Sequence, residues 1–212
     1  MFTHHIYLLF FLALSLGVNA ENLDWEQVNS MDNISVFVAS DKKTGFKVCK
    51  VETLTTASVD ALVALNTDYK NLVNWMDTAV DISQISTKSR SDYINYFKWA
   101  SPWPVKDRDS VTRSVLTKRT DGSVLLKFDS IENIVEESGD YERMNLIDGL
   151  WEFVPNENGS TKVVYQIMVD PGGNVPIWLV NMKVTEIPLR TVQKMHEQLK
   201  SENYRNAKID WL

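Results

Sequence analysis

Residues 176–199 constrain this chain more than any other stretch. Apolar positions Ile177, Val180, Val184, Ile187, Thr191 and Met195 follow helical i, i+3, i+4 spacing, and Lys183, Glu186, Arg190, Lys194 and Glu197 fall on the other side. The pattern predicts one long C-terminal helix. Pro188 is expected to kink it, because proline removes a backbone donor and crowds the preceding turn. Such a helix must bury its stripe, so the rest of the chain has to supply a surface that receives it.

That surface reads as a sheet. Residues 34–40 and 46–54 are rich in β-branched side chains, with a turn at Gly45 between them. Residues 93–99 alternate, and Pro102-Trp103-Pro104 stops them. Residues 109–119 and 123–130 flank Asp121-Gly122, and residues 146–154 and 161–170 flank a second turn at 156–159. Residues 58–65 have the spacing of a short helix with Ser and Thr before it as caps, and a further helical turn starts near Asp68. The expected fold class is α+β, with a curved antiparallel sheet wrapped around the long C-terminal helix. A curved sheet cannot sit flush on a straight cylinder along its whole length, and the gap is filled by core side chains or by a ligand.

Residues 6–16 form an uncharged apolar run too short to span a bilayer, and Val18 and Ala20 occupy the small-residue positions of a secretory cleavage site. Residues 1–20 are read as a signal peptide cut after Ala20, followed by a single domain over 21–212. The product would be exported, to a periplasm or to the outside. The formal charge of −6 argues against nucleic acid and against a polybasic membrane anchor. The exported part keeps one histidine, His196, and one cysteine, Cys49. That leaves no internal disulfide and no zinc site of His and Cys, and no cofactor is expected. Cys49 lies in an apolar strand and reads as an inert buried thiol. Any Ser–His–Asp or Cys–His catalysis would depend on His196, which lies one step off the helix stripe, at its expected solvent edge. The stretch 129–142, with six acidic residues among Ile131, Ile134 and Val135, is long for a hairpin connection and reads as a mobile loop.

Three segments carry a resemblance: residues 69–75 followed by Val80; residues 102–111, with Trp103 and Pro104 leading into Arg108 and Asp109; and residues 170–181, with Pro171, Gly172, Gly173, Pro176 and Trp178. In order and spacing they resemble the START (StAR-related lipid-transfer) domain of the Bet v 1-like helix-grip superfamily. The likeness is to its phosphatidylcholine-transfer-protein-like and secreted bacterial members. The resemblance implies a tunnel for one lipid under the C-terminal helix, with the 129–142 loop as its lid. The implied partners are a lipid and, transiently, a membrane, with the protein a monomer; the implied function is lipid transfer or sensing. An enzyme of the same superfamily, of aromatase/cyclase or hydrolase type, is the alternative.

On this reading the lining candidates are Val180, Val184, Ile187 and Thr191 of the helix, with Ile131 and Ile134 of the lid; ordinary core packing is the other role open to each. The proline, glycine and tryptophan positions of the motifs are expected to maintain the fold. Trp178 would anchor the helix on the sheet, and Arg108 and Asp109 would form an ion pair fixing the start of a strand. Where vertebrate family members carry a lipid-facing arginine, this chain has Ser114. Arg113 alternates with Val111 and Val115 and either reaches the lipid head through a one-residue bulge or snorkels outward. Phosphatidylcholine specificity is therefore not carried over.

Overall fold

The computed structural model describes residues 23–212, so the expected signal peptide lies outside the described residues. The chain runs β1 (Glu26–Met31), β2 (Ile34–Ser40), β3 (Lys47–Thr55), α1 (Val59–Thr67), α2 (Tyr69–Leu72), β4 (Ala79–Ser89), β5 (Asp92–Trp99) and β6 (Arg108–Lys118). It continues with β7 (Val124–Ser130), β8 (Glu142–Arg143), β9 (Leu146–Pro155), β10 (Thr161–Asp170), α3 (Ile177–Lys183), α4 (Glu186–Gln198) and α5 (Glu202–Arg205). The strands form one sheet in the order β1-β2-β3-β10-β9-β7-β6-β5-β4, antiparallel along that path, with β8 pairing β6 in parallel. This is the α+β helix-grip arrangement expected from the pattern. Among the described residues no helix is long and apolar enough to cross a membrane.

Local chemistry explains most element ends. Ser58 caps α1 by accepting a hydrogen bond from the Ala61 amide, satisfying a donor that the helix itself cannot. The turns at Gly45, Gly122 and Gly159 all use positive φ, which glycine adopts without a Cβ clash. β1 and β4 gave no sequence signal, because both lie at the sheet edges. Every residue of β1 is exposed, and β4 is mostly exposed and broken by bulges, so neither carries an alternating apolar face.

The expected single helix is two helices. α3 ends at Lys183, Val184 and Thr185 form the break, and α4 starts at Glu186. Pro188 does not kink a helix; it is the third residue of α4. An amide there has no acceptor within the helix, so proline costs nothing, whereas a continuous helix would need that donor.

Cross-strand partners define rows on the helix-facing side of the sheet. The deepest joins Val163, Phe153 and Val124; the next joins Tyr165, Trp151, Leu126 and Leu116. Leu62, Leu65, Trp75, Val192, Met195 and Tyr204 pack on these rows in one buried cluster. Trp75 meets Trp151 edge-on at 5.8 Å, and Trp151 stacks on Tyr165 at 4.0 Å. Cys49 is fully buried in this cluster and burial pushes its thiol up to about 12, so it is the inert thiol expected.

Candidate functional site

Burial declines along the same strands toward the other end of the sheet. On β7 the inward side chains run from Val124 and Leu126, both buried, to Phe128 and Ser130, both half-exposed. On β10 they run from Val163 and Tyr165 to half-exposed Ile167 and Val169. β7 and β10 are central strands, so inward side chains there can be exposed only to space between the sheet and its cover. At that end the chain places α3, which buries none of its own residues and packs Val180 on Phe46, Val48 and Met168. α3 is held at the rim by Asn181, which accepts from the Lys47 amide (2.8 Å) and donates to the Gly45 carbonyl (3.0 Å).

Three segments meet at this rim. The 101–107 turn reaches the 131–141 loop where Lys106 Nζ donates to the Gly139 carbonyl (2.7 Å) and the Glu142 amide to the Asp107 carbonyl (2.9 Å). Arg108 Nε donates to the Pro171 carbonyl (3.3 Å), tying the strand to the hinge before α3. Gly172 has φ +68°, and a Cβ there would collide with the Arg143 carbonyl, so only glycine lets the hinge pass.

The expected Arg108–Asp109 ion pair is not formed. Adjacent residues on a strand point to opposite faces, so their side chains diverge. Arg108 turns toward the hinge and also donates to the Lys106 carbonyl. Asp109 turns to the outer face and pairs with Arg143 Nε (2.7 Å) and Nη2 (3.0 Å), accepting also from the Tyr96 hydroxyl (2.7 Å). Burial pulls the Asp109 carboxyl up, but Arg143 and Tyr96 outweigh it and hold it below the usual carboxylate range. Arg143 Nη1 reaches the Val135 carbonyl (3.2 Å), so this pair also pins the 131–141 loop.

The lining candidates separate. Val184 is half-buried against the main core, and Ile131 is half-buried, its amide bonded to the Val111 carbonyl (2.9 Å). Val180 packs instead on a second cluster of Phe46, Val48 and Met168. Thr191 is buried, and its hydroxyl accepts from the Asp77 amide (3.1 Å); it holds α4 in place and is committed to that contact. Ile134 and Ile187 are exposed. Trp178 does not anchor the helix: it is 67% exposed, because α3 has no partner on that side. Trp103, before the cis peptide to Pro104, is 93% exposed. Pro176 precedes α3, its carbonyl accepting the first helical bond from Leu179 (2.9 Å).

Arg113 does not reach the interior. β6 keeps continuous register with β5 and β7, so no bulge turns it inward. It lies on the outer face and grips Asp92 with two bonds of 2.8 Å. Ser114 points inward and is buried. The residues near Arg113 do alternate as a face, but it is the outer face, where Val111 is nonetheless buried.

The sequence reading passed over Asn95, Ser110, Thr112 and Ser130. These line the inner face next to the Phe128–Ile167 region, where Thr112 is opposite Asn95 on one side and Ser130 on the other. The alternation of residues 93–99 could have placed Asn95 on the same face as Tyr93 and Phe97. His196 is half-buried rather than at a solvent edge, with Nε2 3.0 Å from the Thr53 hydroxyl; burial lowers its pKa, favouring neutral imidazole. Two clefts, of about 350 and 390 Å³, lie at the opposite end of the molecule, along the 122 and 155–161 turns and beside His196.

Comparison with known proteins gives this arrangement a family. A START domain profile matches residues 12–203. An uncharacterized protein of Pseudomonas aeruginosa is 29% identical over 175 residues, covering 82% of this chain and 86% of that protein. Human START domain-containing protein 10 is 23% identical over 177 residues, and the match spans 60% of its length. The crystal structure of a STAR-related lipid transfer protein from Xanthomonas axonopodis superimposes with a TM-score of 0.78 at 24% identity, covering 84% of this chain and 99% of that one. With its helix-grip sheet and a family match over most of its length, the chain belongs to the START domain family.

Proposed function

We propose that this protein is an exported, non-catalytic carrier that takes one lipid between the sheet and α3 and exchanges it with membranes. The observation that supports the reading best is the asymmetry of burial. On β7 and β10 the inward side chains are buried at the α4 end, whereas Phe128, Ile167 and Val169 are half-exposed at the α3 end, where α3 buries nothing of its own. Each methylene removed from water gains about 0.8 kcal/mol, and a bilayer offers the same gain, so loading and release are close to balanced and are set by motion of the cover. α3 moves as a unit between the Gly172–Gly173 hinge and the break at Val184–Thr185.

Membrane contact is assigned to the rim. Trp103, Ile134, Ile177, Trp178 and Met182 are all exposed on α3 and on two of the segments joined there. Aromatic and aliphatic side chains displayed on an exchange mouth suit the interfacial zone of a bilayer. The direct test is native mass spectrometry of the exported protein purified from its own host, followed by lipid extraction. A reproducible one-to-one complex with a lipid is expected. Protein that is consistently empty, and that takes up nothing from vesicles, overturns the reading. Among the described residues His196 is the one imidazole, and it is hydrogen-bonded with Thr53, so on the carrier reading His196→Ala should leave lipid uptake unchanged.

A further inference from the structure

Among the described residues two buried side-chain atoms have no hydrogen-bond partner: Trp75 Nε1 and Asn95 Oδ1. Trp75 stands in the packed end against Trp151. Asn95 is on the inner face of β5 between Tyr93 and Phe97, both buried in the main core, and is only 1% exposed. A buried carbonyl without a donor keeps the cost of its lost water, and an apolar residue of similar size would avoid that cost. Resting on the carrier reading, we infer that Asn95 Oδ1 receives the polar end of the cargo, and that this end is an uncharged hydrogen-bond donor, a hydroxyl or an amide N–H.

The surroundings set the chemistry. Across β6 the partner of Asn95 is Thr112, with Ser110 and Ser114 two positions to either side on the same face, and Ser130 follows on β7. All are small, neutral and hydroxylic. Trp99 Nε1 already donates to Ser110 Oγ (2.9 Å), and the Ile147 amide to Ser130 Oγ (3.1 Å), so these hydroxyls are held in fixed orientations. Of the cations on β6 that an anionic head could use, Arg113 is on the outer face with Asp92. Arg108 is four residues along the strand from Thr112, about 13 Å away, and is committed to the Pro171 and Lys106 carbonyls. A phosphate brought to Asn95 would lose its water without gaining a counter-charge. A hydroxyl there would gain the acceptor that now has none. The apolar remainder would then lie over Phe128 and Ile167, one row deeper in the sheet.

The test uses matched probes that differ only in the donor: 1-hexadecanol against hexadecyl methyl ether, and cholesterol against its 3-O-methyl ether, with phosphatidylcholine as the charged comparison. Binding to the full exported chain is measured by competition. In at least one pair the alcohol should bind about tenfold more tightly than its ether, the cost of leaving a buried acceptor unpaired. Asn95→Leu should abolish that preference while still binding the ether, and should melt no lower than the wild type when empty. Equal binding within both pairs, or tighter binding of phosphatidylcholine than of either alcohol, overturns the head-group site while leaving the carrier reading intact. Failure of the wild type to bind any probe overturns the carrier reading and the site together. The wild-type comparison stands even if Asn95→Leu does not fold.

Discussion

The two ends of the sheet are built from the same strands but do different work. At one end α1, α4 and α5 close on Trp75, Trp151, Phe153 and Met195, all essentially buried. At the other, Phe128 and Ile167 are half-exposed, α3 buries none of its own residues, and the loops meet through a few hydrogen bonds. Stability is thus concentrated at the α4 end, and on the carrier reading the cover would sit where little stability is lost by moving it. The general lesson is that a helix-grip protein can separate the two demands along the length of one sheet.

The largest effect should come from breaking the packed end. Trp75→Ala removes a fully buried indole and should cost about 3–5 kcal/mol in denaturant unfolding. A loss below about 1 kcal/mol would mean that the packed end does not dominate the fold. Next is the latch holding α4. Asp77 accepts from Arg190 Nε (2.6 Å) and Lys194 Nζ (2.8 Å), and its amide bonds Thr191, so Asp77→Ala should cost about 1.5–3 kcal/mol.

The latch also has a pH signature. Burial raises the Asp77 carboxyl, but Lys194 and Arg190 prevail and hold it below its ordinary value. Its contribution is complete above about pH 4 and is lost as pH falls through the lower folded value. His196 acts in a higher window. Its pKa is lowered in the fold, so stability is complete above about pH 6.5 and declines as pH drops from there toward the folded value. Unfolding curves between pH 7 and pH 5 should show that decline in the wild type and not in His196→Ala.

The hinged end should behave in the opposite way. Trp103→Ala and Trp178→Ala should each change stability by less than about 0.5 kcal/mol, yet together should weaken vesicle co-sedimentation several-fold. A double variant that sediments like the wild type would remove the rim from the membrane-contact reading. The smallest effect is expected from Arg113→Ala. Its pair with Asp92 lies on the outer face, so lipid uptake should be unchanged; reduced uptake would mean that the residue does reach the cargo.

Much of the packed end was legible in the sequence, because burial on one face writes a period into the chain. β2, β5 and β9 alternate, Ser58 announces α1, and Cys49 sits among valines. The hinged end was legible only as motifs. Trp103, Gly172 and Trp178 were singled out, but which way they point depends on tertiary context that no local pattern encodes. Arg113 illustrates the limit: its neighbours Val111 and Val115 do share its face, and Val111 is buried there, so local alternation could not tell the outer face from the interior. The Asp109–Arg143 pair joins residues 34 positions apart and left no trace in local spacing. The break at Val184–Thr185 was misplaced because an amphipathic stripe continues across a gap as readily as along an unbroken rod.

That break has a consequence for how the molecule would be seen in solution. Because α3 is severed from α4 and buries none of its own residues, its amide protons should exchange with solvent through small openings that expose little new area. Their exchange rates should barely respond to urea, while those of α4 and β9 should follow global unfolding. A melting curve would therefore be nearly blind to the gate.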